Sequence, residues 1–285
     1  MSLGLVLSGG GVRGAAHIGV LQALQEAKIK PAFISGTSAG SIVAGLYAYG
    51  YSPQEIKLLA RRINKKYFDI DYFGIISSLI NIFFSGDPSI SGLIQGDFLE
   101  HYFYNLTKGI KLNQIKMPLA ITAVDINNTN IVVFTSLPNR LLTRSDYVFV
   151  HDVPLAAAIR ASISLPGIFQ PKMVKKMRLV DGGIRANLPV EITRMMGAQK
   201  VIAVNLGYSG NPVPYVDDIL EISLQAIDLM IYQITRPSIE SADLLISPQI
   251  NYVHQGDLSK IDYLIKCGYQ ATINYLPRIK QLLYL

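Results

Sequence analysis

Gly36-Thr37-Ser38-Ala39-Gly40 lies between the apolar stretch Pro31-Ala32-Phe33-Ile34-Ser35 and the small-residue run Ser41-Ile42-Val43-Ala44-Gly45-Leu46. The first stretch reads as a short buried strand and the second as the opening of a helix, so the pentapeptide is a strand-to-helix turn with a serine at its tip. Glycines on both flanks relieve the crowding of such a turn and lift the Ser38 hydroxyl clear of the sheet edge. The helix N-terminus behind it adds free N–H groups and positive potential. This is an address for a nucleophile, although small residues also gather at ordinary turns.

A second turn of the same kind opens the chain. Leu3 to Ser8 is an apolar strand, and Gly9-Gly10-Gly11-Val12-Arg13-Gly14 leads from it into a helix with Val20, Ala23, Leu24 and Ala27 on one face. Consecutive glycines let backbone N–H groups converge on an anion. Gly9, Gly11 and Gly14 also satisfy the dinucleotide pattern G-x-G-x-x-G. That pattern calls for an acidic residue at the end of the second strand, and Ile29 to Ser35 holds none. A glycine loop beside a serine elbow is instead what acyl transfer requires, one supplying oxyanion donors and the other the nucleophile. Far downstream, Leu179-Val180-Asp181-Gly182-Gly183 is a strand ending in an aspartate and two glycines, with Asn187-Leu188-Pro189 leading into a further helix. An isolated Asp-Gly-Gly also serves as a plain turn.

Taken together, four blocks in this order resemble the patatin-like phospholipase family: the glycine loop at 9–14, the elbow Gly36, Thr37, Ser38, Ala39, Gly40, the stretch Ala161-Ser162-Ile163-Ser164-Leu165-Pro166-Gly167-Ile168-Phe169, and Asp181-Gly182-Gly183. The resemblance spans Leu3 to about Val204. It implies a three-layer α/β/α fold with a mostly parallel central sheet and a Ser-Asp dyad, with Ser38 as nucleophile and Asp181, in its turn with Gly182 and Gly183, as base. It further implies an oxyanion hole at Gly9, Gly10, Gly11, Arg13, Gly14 and Ala39, with N–H groups of Gly10, Gly11 and Ala39 as donors. The expected reaction is hydrolysis of carboxylic esters of phospholipids, lysophospholipids or related lipids through an acyl-Ser38, with no metal or organic cofactor. A free aspartate of pKa ~3.9 is a feeble base toward serine, so Asp181 should be desolvated. A transacylase would use the same residues, and a non-hydrolytic nucleotide-binding protein would use the glycine loop alone.

A histidine base is the competing arrangement. Of His17, His101, His151 and His254, only His254 follows Asp181, and its polar surroundings Asn251-Tyr252-Val253-His254-Gln255-Gly256 read as surface. His17, on the helix after the glycine loop, reads as a packed, hydrogen-bonded residue that buttresses the loop.

The remaining chain alternates strands with helices, which argues for helices on both faces of the sheet. Ser52-Pro53-Gln54-Glu55 is a capping box, opening a helix with Ile56, Leu59, Ala60 and Ile63 inward. Strands are expected at 118–125, 131–135, 200–205 and 244–247. Helices are expected at 154–163 and at 216–233, the latter with Ile219, Ile222, Ala226 and Leu229 inward, and another at the C-terminus. With 285 residues, 50% of them hydrophobic and 16% charged, the chain can bury one large core, and a single domain over 1–285 is expected.

Composition also bears on location and partners. The lone Cys267 allows no disulfide framework, no signal peptide is evident, and the longest apolar stretch, 72–84, falls short of the ~20 residues a bilayer span needs. These features point to a cytoplasmic protein. Its net charge of +6, with Arg61, Arg62, Lys65 and Lys66 just before the apolar stretch, suits peripheral contact with an anionic membrane. Lys172, Lys175, Lys176 and Arg178 surround an expected hairpin tip. No motif accompanies the charge that would indicate nucleic acid.

Overall fold

A computed structural model describes residues 1–63, 92–138, 144–207, 217, 219–251, 253 and 257–284. In chain order its elements are β1 (Leu3–Leu7), α1 (Ala16–Glu26), β2 (Phe33–Thr37), α2 (Ala39–Tyr49), α3 (Pro53–Arg62), α4 (Asp97–Leu106), β3 (Leu119–Asp125), β4 (Ile131–Thr135) and β5 (Tyr147–Val150). There follow α5 (Leu155–Ser162), β6 (Lys172–Val174), β7 (Met177–Asp181), α6 (Gly183–Ala186), α7 (Val190–Met195), β8 (Lys200–Val204), α8 (Ile219–Ser241), β9 (Leu244–Ile246) and α9 (Ile261–Tyr284).

The strands run β5-β4-β3-β2-β1-β8-β9, with β7 joining β3 and β6 pairing with β7. Neighbours from β3 through β9 along this path are parallel. Side chains alternate across the sheet, so Leu3, Leu5 and Leu7 of β1 share a core with α1, α2 and α9, whereas Val6 packs on the other face with Leu188, Val190 and Ala203. Helices on both faces of a mostly parallel sheet give the three-layer α/β/α architecture the sequence implies.

One strand decides where chemistry can occur. β3 pairs with β2 in parallel as far as Thr37 opposite Thr122, and one residue further on it pairs antiparallel with β7, Asp181 opposite Ala123. β7 therefore continues the lane that β2 vacates. The end of β2 and the end of β7 meet head to head on one template strand, at the carboxyl edge of the parallel strands where open α/β sheets bind ligands.

Local details follow the sequence closely. Ser52 and Glu55 form the expected capping box of α3, the serine N–H donating to the glutamate carboxylate at 2.7 Å. Asp125 closes the turn after β3 by accepting from the Asn127 N–H at 3.2 Å and the Asn128 amide at 2.6 Å. Strand β2 starts later than expected and runs to Thr37, straight into the elbow. Helix α8 departs more. Ile219, Ile222, Ala226 and Leu229, expected inward, are all exposed, Ile219 at 85%. The helix is also apolar at Leu224, Ile227 and Ile231, so periodicity alone could not choose its buried side; polar contacts at Asp228 and Thr235 choose it. Arg61 is not a free cation, because its guanidinium pairs with Asp262 of α9 at 2.7 Å. Lys65, Lys66, the 72–84 stretch and His254 lie outside the described residues.

Candidate active site

Ser38 sits at the junction of β2 and α2 with φ 52 and ψ −127. A non-glycine residue at this backbone angle is held there by its surroundings. The surroundings leave no room for side chains at the flanks. A Cβ on Gly36 would lie 2.4 Å from the Gly40 carbonyl oxygen, and one on Gly40 would lie 2.3 Å from the Leu7 carbonyl oxygen. Thr37 fastens the elbow sideways, its hydroxyl 2.6 Å from that of Thr122 and donating to the Ala186 carbonyl at 2.8 Å. The Ser38 carbonyl accepts from the Ser41 hydroxyl at 2.6 Å, and the Ser38 N–H donates to the Ser162 hydroxyl at 2.8 Å.

Asp181 ends β7 facing this serine. Its N–H donates to the Ser164 carbonyl at 2.9 Å, and its carboxylate accepts from the Gly183 N–H at 2.7 Å and from the Ser38 hydroxyl. The side chain is 2% exposed. Burial pushes the Asp181 carboxyl up to about 6, against the downward pull of the Ser38 and Gly183 hydrogen bonds. Desolvation makes it a stronger base than a free aspartate.

The glycine loop approaches from β1. Gly14 lies against α2 so closely that a Cβ there would be 2.4 Å from that of Ala39, which seats the loop beside the elbow. Not every residue expected in the oxyanion hole has an N–H to give. The Gly9 N–H donates to Asn187 Oδ1 at 3.0 Å, and the Arg13 N–H donates to the Gly10 carbonyl at 3.1 Å. Committed amides cannot serve an oxyanion, so Gly9 and Arg13 shape the loop, and Gly14 contributes its close packing. The N–H groups of Gly10 and Gly11, entering the 3-10 turn Gly11–Ala15, and of Ala39, the first residue of α2, have no intrahelical acceptor.

Three side chains brace the site, and Asn187 among them carries no motif of its own. Asn187, 4% exposed, accepts from Gly9 and donates to Thr235 of α8 at 3.4 Å, so one side chain joins the glycine loop, the Asp181 segment and α8. Arg13 bonds the Gly10 carbonyl through Nε at 3.3 Å and pairs with Asp228 of α8 at 3.4 Å. His17 is fully buried on α1, its Nε2 2.8 Å from the Ser8 carbonyl just before the loop. Burial drives its pKa down to about 4, so the ring is neutral and holds that carbonyl as an Nε2–H donor. Its hydrogen bond braces the start of the loop. Asn187 could not be found by proximity in sequence, because its partner Gly9 is 178 positions away.

Known proteins share sequence and fold with this chain. The sequence model of the patatin-like phospholipase family matches residues 5–194. Lysophospholipase NTE1 of Mycosarcoma maydis is 35% identical over 208 residues, covering 73% of this chain and 10% of that protein. Human patatin-like phospholipase domain-containing protein 6 is 30% identical over 208 residues, covering 72% of this chain and 13% of its own length. The chain thus corresponds to a small part of these much longer relatives. Among solved structures, VipD from Legionella pneumophila superposes with a TM-score of 0.52 at 14% identity, covering 97% of this chain and 67% of that one, a likeness of fold.

Proposed function

This chain belongs to the patatin-like phospholipase family, and on that premise we propose that it is a lipid acyl hydrolase in which Ser38 attacks a carboxylic ester and Asp181 is the base. The observation that carries this reading is the hydrogen bond from the Ser38 hydroxyl to a buried carboxylate whose pKa burial raises to about 6. Asp181 takes the Ser38 proton as Oγ adds to the ester carbonyl. The oxyanion that forms is met by N–H groups of Gly10, Gly11 and Ala39, each donor worth about 3 kcal/mol in an acyl-transfer site. Collapse returns the proton from Asp181 to the leaving alcohol and leaves acyl-Ser38. Water, deprotonated by Asp181, then releases the acid and restores the serine. The names of the two relatives, a lysophospholipase and a patatin-like phospholipase domain-containing protein, support phospholipid or lysophospholipid esters as the substrates.

A fluorophosphonate probe tests the nucleophile. It should label Ser38 alone, and Ser38→Ala should lose both labelling and hydrolysis of short p-nitrophenyl esters while keeping the wild-type circular dichroism. Full esterase activity in that variant would end the assignment. We further propose peripheral contact with anionic membranes, supported by the net charge of +6; no described helix is long and apolar enough to cross a bilayer. Cosedimentation with anionic vesicles should exceed that with neutral ones and weaken above ~0.5 M salt, where the Debye length falls well below ~8 Å. Equal binding to both vesicle types at low salt would remove the electrostatic contact.

A further inference from the structure

We propose that Arg160 is a positioning residue for the acyl-transfer site, acting through Ser164 to hold the backbones of Ser38 and Asp181 in their working relation; this rests on the reading of Ser38 and Asp181 as the dyad. Arg160 lies on α5 and is 1% exposed. A guanidinium taken out of water is costly unless new hydrogen bonds replace those it loses. Here Nη1 donates to the Ser164 hydroxyl at 2.6 Å, and Nη2 donates to the Gln170 carbonyl at 2.9 Å and to the Gln95 carbonyl. The guanidinium carbon lies 5.4 Å from the centre of the Phe169 ring, within cation–π range. Gly96, at φ 81, has no Cβ to strike the head group. One rigid, planar fork thus reaches three separate segments of backbone and side chain.

What Arg160 holds is the turn on which both dyad residues rest. The Ser164 hydroxyl accepts from Nη1 and donates to the Arg160 carbonyl at 2.8 Å, satisfying a carbonyl in the last turn of α5. Fixed from both sides, Ser164 presents its own carbonyl to the Asp181 N–H at 2.9 Å. Two residues earlier, the Ser162 hydroxyl accepts from the Ser38 N–H at 2.8 Å. The stretch 162–164 therefore anchors the end of β7 and the end of β2 together. The other arm of the fork braces this turn against a pair of segments outside the strands of the sheet, in which the Ile94 N–H donates to the Ile168 carbonyl and the Gln170 N–H to the Ile94 carbonyl, each at 2.8 Å. A displacement of 1 Å between reacting groups can cost about 10²-fold in rate. A residue one step removed from the reacting atoms can therefore control kcat.

Two substitutions test this at different links. Ser164→Ala removes the hydroxyl with little change in volume, and Arg160→Met removes the donors while keeping an unbranched side chain. For the full chain acting on p-nitrophenyl butanoate, kcat should fall about tenfold in Ser164→Ala and about a hundredfold in Arg160→Met, with KM little changed. The second loss is larger because the turn also loses its brace at Gln95 and Gln170. The double variant should be no slower than Arg160→Met alone, whereas independent residues would multiply their losses. Fluorophosphonate should label Ser38 more slowly in step with kcat, and hydrogen exchange read by mass spectrometry should quicken in the peptides that carry the Ser38 and Asp181 amides. A folded Ser164→Ala protein with wild-type kcat and labelling rate overturns the proposal, even if Arg160→Met does not fold. So do losses that multiply in the double variant, or a lowered Tm with kcat unchanged, which is what a purely structural arginine would give. If wild-type Ser38 takes no fluorophosphonate, the dyad reading fails; faster exchange at both amides in Ser164→Ala would then still uphold the anchoring of the two strand ends, and unchanged exchange would end it.

Discussion

Ser38 occupies φ 52, ψ −127, a region that costs a non-glycine residue of order 1–3 kcal/mol and persists only when neighbours over-determine it. Here the neighbours are Thr37, Ser41 and Ser162, which clamp the backbone on three sides while the hydroxyl is left to Asp181. In the proposed dyad the strain orients the nucleophile, and the carboxylate supplies the base. If Asp181 is the base, it must be ionised to accept the proton, and burial raises it to about 6; kcat/KM for a short ester should then fall tenfold per pH unit below about 6 and level off above it. A stopped assay across pH 4.5 to 8 reads this limb. A midpoint near the ordinary carboxylate value would mean that the buried state of Asp181 is lost in the working enzyme. Ser38, its flanking glycines and Asp181 were legible in sequence because each sits at a strand end marked by glycine. The need for a desolvated aspartate was legible too, from the weakness of a free carboxylate as base. What no local signal revealed was which loop amides are already spent, since Gly9 and Gly10 look alike until Asn187 takes one of them.

At the scale of elements, the site is the meeting of the ends of β1, β2 and β7, and Asn187 is what joins two of them to α8. Removing it in Asn187→Ala leaves the buried Gly9 N–H unsatisfied, a cost of about 1–3 kcal/mol. It also frees a loop that, in the proposed mechanism, acts only on the developing oxyanion, so kcat should fall about tenfold or more with KM little changed. Asn187→Asp keeps an acceptor for Gly9 but sets a second carboxylate near Asp181, since a Cβ on Gly183 would lie 3.0 Å from Asp181 Oδ1 and 3.5 Å from Asn187 Oδ1. Like charges disfavour ionisation, so the acid limb of the pH profile should move above 6 in Asn187→Asp. A purely structural Asn187 would lower stability and leave that limb where it was. Most of the elements were readable from strand-length apolar runs and capping signals, as with the Ser52–Glu55 box. Two features were not. The antiparallel β7 entering the lane of β2 depends on where a parallel strand happens to end, and the outward turn of α8 depends on Arg13 and Asn187, both remote in sequence.

For the whole molecule, two buried titratable groups, His17 and Asp181, pull stability in opposite directions with pH. His17, lowered from 6.5 to about 4, stays neutral in the fold while the unfolded chain takes up a proton below 6.5; its contribution is therefore present at neutral pH and lost as pH falls from about 6.5 to 4. Asp181, raised from 3.8 to about 6, holds its proton in the fold over a range where the unfolded chain has released it; its contribution is present below about 4 and lost as pH rises to about 6. Between pH 4 and 6 the two slopes oppose each other, each limited to about 1.4 kcal/mol per pH unit. His17 under the glycine loop and Asp181 beside Ser38 thus respond to pH in opposite senses. Asp181→Asn separates them, since the amide preserves size and an acceptor for the Gly183 N–H but carries no charge to desolvate. At pH 7.5 the variant should be more stable than wild type by about 2 kcal/mol, visible as a Tm several degrees higher, and the difference should close by pH 4, where wild-type Asp181 is protonated. Paired thermal melts at the two pH values measure it. A variant that melts no higher than wild type at pH 7.5 would show that the buried aspartate carries no desolvation cost, and with it would go the physical basis for treating Asp181 as a strengthened base.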